Sequence, residues 1–180
     1  MRAIAWVVLL GGASLWAQAP AQKPCSAPEA AQFDFWVGEW EANWEENAAA
    51  KMPKGRGTNR ITKAMDGCVI EEQFDGQEAI GLRGMSVSVY VPQTKEWKQT
   101  WVDNSGGYLD FGGGFKDGEM VLVREAVGPK GARFHQRMVW KNITADRFDW
   151  SWERSLDGGK TWAVNWAISY KRRASAAKQD

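Results

Sequence analysis

Turn signals recur along this chain at short, regular spacing: Asp66-Gly67, Asp75-Gly76, Pro92-Gln93-Thr94-Lys95, Ser105-Gly106-Gly107, Asp117-Gly118, Gly128-Pro129-Lys130-Gly131 and Asp157-Gly158-Gly159. Glycine in these positions supplies the positive φ that tight hairpin turns require, and Asp or Ser side chains bond the turn amides. The segments between the turns are too short for helical crossovers. Rich in β-branched and aromatic residues, they read as strands near 36–44, 57–64, 68–75, 81–92, 96–103, 107–115, 119–126, 132–142, 147–154 and 162–171. About ten strands joined by hairpins make an all-β fold, an antiparallel up-and-down β-barrel, because closure removes the sheet edges. An open sandwich with two edges is the alternative.

The barrel pattern starts at Phe33-Asp34-Phe35-Trp36-Val37-Gly38-Glu39-Trp40, where five of eight residues are Phe, Trp or Val. Just before it, Ser26-Ala27-Pro28-Glu29 has the form of a capping box, which predicts a short N-terminal helix to about Phe35. From Trp36 the period becomes two. Trp36, Gly38, Trp40, Ala42 and Trp44 alternate with Val37, Glu39, Glu41, Asn43 and Glu45.

The first residues belong to a processing signal. Arg2 precedes an apolar run from Ile4 to Leu10 that continues to Trp16, and small residues follow at Ala17-Gln18-Ala19 and Ala19-Pro20-Ala21. This predicts a signal peptide over 1–21 with cleavage after Ala21. An uncleaved anchor is the alternative, although the run is short for a membrane span. Gln22-Lys23-Pro24 before Cys25 is not a lipid-attachment motif. The remaining chain divides into a lead-in and helix start over 22–32, a barrel domain over 33–172, and a disordered, basic and Ala-rich tail over 173–180. No other segment is apolar enough to span a membrane, so a periplasmic or extracellular location is expected.

Export bears on the two cysteines. In an oxidising compartment Cys25 and Cys68 are expected to pair, tethering the N-terminal segment to the barrel; two free thiols are the alternative. Two Cys and one His are too few for a structural zinc site, so no metal is expected. Lys and Arg number 23 against 22 Asp and Glu, a balance that excludes a polybasic nucleic-acid or membrane surface.

A barrel of about ten strands encloses more space than side chains alone fill. The leading expectation is therefore a small, partly apolar ligand in the lumen. Candidate polar groups there are Glu72, Gln99, Asp103, Arg137 and Glu153, with Trp101 and Tyr90 as walls. Trp6 and Trp16 lie in the leader, which leaves ten of the twelve tryptophans for the barrel, mostly for packing. A different reading is a hydrolase or isomerase in which lumen carboxylates act with Arg137, one of them raised in pKa by burial. A third is a structural or interaction module of the cell envelope with a filled barrel.

Several motifs together resemble a bacterial exported family of unknown function with a calycin-like, or lipocalin-like, barrel. They are the Phe33–Trp40 stretch, Asn59-Arg60-Ile61, Gly67-Cys68-Val69-Ile70, Trp97-Lys98-Gln99-Thr100-Trp101-Val102-Asp103-Asn104, and Trp152-Glu153 ahead of Ser155-Leu156-Asp157-Gly158-Gly159-Lys160-Thr161-Trp162. The resemblance implies a secreted β-barrel and no established activity. In calycins a Gly-x-Trp, here Gly38-Glu39-Trp40, opens the first strand, and its indole closes one end against an Arg of the last strand. That implies Trp40 packed on Arg172 or Arg173, a favourable cation–π contact. Related nitrobindin-type barrels hold haem through one histidine, which raises His135 as a haem ligand; a surface or hydrogen-bonded histidine is the alternative, and no other cofactor is expected. The segment from Ser155 to Trp162 looks like the Asp-box of propeller proteins. In a single copy it is expected to stabilise a hairpin, with Asp157 bonding turn amides and Trp162 packing beneath.

Overall fold

The computed structural model describes residues 25–174. The expected signal peptide and the tail beyond Ala174 lie outside the described residues. Ten strands follow one another: β1 Gly38–Trp44, β2 Gly55–Ala64, β3 Val69–Gly76, β4 Leu82–Val91, β5 Glu96–Asp103, β6 Tyr108–Lys116, β7 Glu119–Val127, β8 Arg133–Lys141, β9 Arg147–Ser155 and β10 Ala163–Arg172. Each pairs antiparallel with its neighbours in sequence, and β1 also pairs with β10 through Trp40 opposite Arg172 and Ala42 opposite Tyr170. The sheet is therefore a closed up-and-down barrel without edges.

This order gives the barrel two distinct ends. The N-terminal segment and the turns after β2, β4, β6 and β8 share one end. The connections after β1, β3, β5, β7 and β9 share the other. A four-residue helix, α1 (Gln77–Ile80), sits at this second end between β3 and β4.

The first end is plugged. Here the expected capped helix is replaced by two 3-10 turns, Pro28–Ala31 and Asp34–Trp36. Ser26 makes no cap: Ala27 takes the N-cap place, with no side-chain bond. The tighter winding has a packing reason, since residues three apart lie one above the other in a 3-10 turn. Phe33 and Trp36 thereby both enter the barrel, with ring centres 5.2 Å apart. Phe33 meets Trp97 and Trp140 edge-on at 4.8 and 5.3 Å.

Trp40 completes the seal. Its indole N–H donates to the Trp36 carbonyl at 2.8 Å, and the Arg172 guanidinium lies 4.1 Å from its ring centre. Arg172 also donates to the carbonyls of Val37 at 2.9 Å, Phe35 at 3.2 Å and Ala145 at 2.7 Å. Gly38 is required because this guanidinium crosses it: a Cβ there would stand 2.1 Å from Arg172 Nη1, and φ is +139°. Arg173 instead uses its backbone N–H, which donates to the Glu39 carbonyl. Cys25 and Cys68 form a disulfide that ties the plug segment to the turn after β2.

At the other end, the connection from β9 to β10 is organised by Asp157. Its carboxylate accepts from the Ser155 hydroxyl, the amides of Lys160 and Thr161, and the Thr161 hydroxyl. These bonds hold its pKa far below the ordinary carboxylate range. Trp162 folds back on this loop, its indole donating to the Gly159 carbonyl at 3.0 Å.

Candidate functional site

Above the plug the barrel is not filled. A cavity of about 510 Å³ runs from Trp36 to the loop end, where Ala49, Ala50, Lys51 and Met52 border its mouth. Six tryptophans line it: Trp36 from the plug, Trp101 of β5, Trp140 of β8, Trp150 and Trp152 of β9, and Trp166 of β10. They reach one space because strand side chains alternate. On β9, Phe148, Trp150, Trp152 and Arg154 face inward, and β10 supplies Trp166, Ile168 and Tyr170 opposite Trp152, Trp150 and Phe148. A register shift between Val164 and Trp166 lets the last strand bring its indole inside. Trp101 is accommodated by Gly84 on the neighbouring strand, where a Cβ would stand 2.1 Å from the ring.

One buried polar cluster interrupts this apolar wall. Glu72 of β3 lines the cavity and is 8% exposed. Its Oε1 accepts from Asn59 Nδ2 at 2.7 Å and its Oε2 from the Ser86 hydroxyl at 2.6 Å. Asn59 Nδ2 also lies 3.4 Å from the Tyr170 hydroxyl. Burial raises the Glu72 carboxyl from 4.5 to about 6, against the opposing effect of the two hydrogen bonds. Burial, and then the nearby Glu72 charge, push the Tyr170 phenol strongly upward.

The mouth has a second carboxylate with the opposite character. Partial burial pushes Asp103 up, but hydrogen bonds from the Ser105 side chain, Trp101, and the Gly107 and Ser105 amides outweigh it and hold the carboxyl at about 2. Trp101 Nε1 donates to Asp103 Oδ2 at 2.9 Å, so the same bond fixes one wall of the cavity.

The seven candidate lumen residues divide between three places. Glu72, Trp101 and Asp103 line the cavity. Gln99 and Tyr90 point inward but lie lower, in the packed half. There Gln99 Nε2 donates to the Ser88 hydroxyl at 2.9 Å and Tyr90 stands beside Trp97 at 5.9 Å. Arg137 and Glu153 are not in the lumen. They oppose each other on the outer face of β8 and β9, where Arg137 Nε and Nη2 bond Glu153 Oε2 at 2.7 and 2.6 Å. Arg137 also stacks 4.2 Å from the Trp162 ring centre, and the Ser151 hydroxyl bonds Glu153 Oε1. The acid–base reading therefore loses Arg137, and this pair braces the β9–β10 hairpin from outside. The reason is a one-residue error of parity, which exchanges the two faces of a strand.

His135 shares the outer face with Arg137, opposite Glu125 and Ser155. It supplies no imidazole to the cavity, so the residues do not fit a haem held there through His135. Among the described residues, no group of three or more His, Cys, Asp or Glu side chains could hold a metal ion. No described helix is long and apolar enough to cross a membrane.

Compared with protein-family models and with curated proteins, the chain matches none. The chemistry of the cavity rests on its own residues. Sequence reasoning missed Asn59 and Ser86, which donate to Glu72, and Tyr170, whose hydroxyl accepts from Asn59. The available signal was β4 itself, where Ser86 and Ser88 alternate with Met85, Val87 and Val89. The serines are buried, whereas Met85 and Val87 are exposed. Small polar residues inside, with apolar ones outside, mark a strand that faces a polar patch in the lumen.

Proposed function

We propose that this protein is an exported binding protein of the calycin-like kind that holds a small, largely planar and apolar molecule in its barrel. The observation that carries this reading is the cavity of about 510 Å³ walled by six tryptophans. Its size falls in the range of small-molecule sites, and indole faces suit flat ligands through stacking. Export is supported by the leader pattern at the N-terminus and by the Cys25–Cys68 bond, of a kind that persists in oxidising compartments.

Native mass spectrometry of the mature protein from an exporting bacterial host tests the reading. A discrete, stoichiometric extra mass that is lost on unfolding is the expected result. A bare mass in repeated preparations, together with no change in tryptophan emission on adding planar aromatic compounds, overturns it.

A further inference from the structure

The charged groups around the cavity are sorted by depth. At the mouth both signs are present: Lys51 and Arg154 are exposed there, and Asp103 lines the same rim. Deeper in, the polar wall carries one sign. Glu72 receives hydrogen bonds from Asn59 and Ser86, both neutral, and among the described residues it forms no salt bridge. The inward-facing Arg124 lies over the Phe111 ring, 5.7 Å from its centre, and is not part of the cavity lining. A buried carboxylate without a cation is costly to ionise, and a protein normally pairs it. Here the surface beside it is a cavity wall, and the other walls are indoles, whose faces attract cations.

We infer that the lumen ligand carries a cationic nitrogen, an ammonium or amidinium group, seated against the Glu72 carboxylate while its apolar body lies against the tryptophans. This rests on the lumen-binding reading above and narrows its ligand class. The raised pKa of Glu72 is in keeping with it, since an arriving cation favours the ionised carboxylate. The ligand supplies the counter-charge that the barrel omits, and N–H donors beyond those of Asn59 and Ser86 complete the carboxylate's shell. An anionic ligand would instead have to meet Glu72 or remain at the mouth with Arg154 and Lys51.

Three probes of one shape and different charge test the inference: tryptamine, tryptophol and indolepropionate, titrated calorimetrically into the mature protein. At pH above 7, tryptamine is expected to bind at least about tenfold more tightly than tryptophol, as a charge-assisted bond is stronger than a neutral one. Indolepropionate is expected to be weakest. In Glu72→Gln the preference for tryptamine should fall to about twofold or less, with tryptophol affinity little changed.

Lowering the pH of the wild-type protein to about 5 should erode the preference in the same way, and this arm needs no substitution. The groups facing Glu72 are Asn59 of β2, Ser86 of β4 and Tyr170 of β10, and none of them titrates in that window. Tryptophol binding as tightly as tryptamine, indolepropionate binding tightest, or a preference that survives Glu72→Gln overturns the inference alone. So does a co-purified molecule without a cationic nitrogen. Failure of all three probes in a protein that carries no co-purified mass overturns the lumen reading, and the inference with it.

Discussion

Burial holds the Glu72 carboxyl at about 6, against 4.5 for the free side chain, so ionising it opposes folding. Between those two values the folded state binds more protons than the unfolded chain. Stability from this group therefore falls as pH rises from 4.5 to 6 and stays low above. That displacement corresponds to about 2 kcal/mol. Glu72→Gln is expected to be more stable than the wild type by up to about 2 kcal/mol at pH 8 and by little at pH 4, measured by urea unfolding. The exchange is sterically mild, and the buried, unpartnered Asn59 Oδ1 offers an acceptor for the new amide once Asn59 turns over. A loss of stability at pH 8 would show that the carboxylate is a net stabiliser. Asp103 has the opposite signature: lowered from 3.8 to about 2, it lends stability above 3.8 that is lost as pH falls through 2. Gly38 is constrained by contact instead of charge. Gly38→Ala places a Cβ against Arg172 at positive φ and is expected to cost about 1–3 kcal/mol in the same assay. Gly38 and Trp40 were legible in the sequence because their constraint is local to one strand start. Arg137 and Glu153 were misplaced because inside and outside differ by one residue. The aromatic alternation of Phe148, Trp150 and Trp152 in the same strand marks the inner face and places Glu153 outside.

Strands and turns were readable almost residue by residue, because hairpins are closed by short-range chemistry. Asp-Gly and Gly-rich turns set the boundaries, and the observed strand ends depart from the expected ones by about two residues at most. The short N-terminal helix forms where expected, but as two 3-10 turns and without the Ser26 cap. A capping box is a local signal, but the segment's winding is set by the need to place Phe33 and Trp36 together in the barrel, which is a tertiary demand. The β9–β10 connection shows a local signal that does decide structure. Asp157 collects four hydrogen bonds within its own loop, and Trp162 from that loop covers Arg137. Asp157→Ala is expected to loosen the β9–β10 connection, since it removes the four hydrogen bonds that hold this exposed loop in one conformation. Hydrogen exchange should rise first in the amides of Lys160 and Thr161 and at the upper ends of β9 and β10. Uniform acceleration over the whole barrel would mean that the loop is part of the global folding unit and not a separately opening element.

At the scale of the whole molecule, the two barrel ends do different work, and the disulfide connects this division to the cavity. The plug residue Trp36 is the cavity floor, and the chain leading to it is held by Cys25 to Cys68, 43 residues apart. In the chain-entropy account, a closed loop of that length contributes about 4 kcal/mol, an upper figure because residual structure in the unfolded chain lowers it. The cost of losing it should fall unevenly. The strands are joined all round by backbone ladders that do not need the bridge, whereas the 3-10 turns rest on aromatic contacts and on the Arg172 bonds. The double variant Cys25→Ser with Cys68→Ser is therefore expected to keep its β-sheet circular dichroism. Its denaturant midpoint should fall by an amount equivalent to about 2–4 kcal/mol. Acrylamide should also quench its tryptophan emission more strongly, because loosening the plug exposes Trp36, Trp97 and Trp140 from below. A cavity open at both ends would hold a ligand less well, so probe affinity should fall with the plug even though Glu72 and the upper walls are unchanged. Unaltered quenching and affinity in the double variant would show that packing of Phe33, Trp36 and Trp40 holds the floor without the covalent tie.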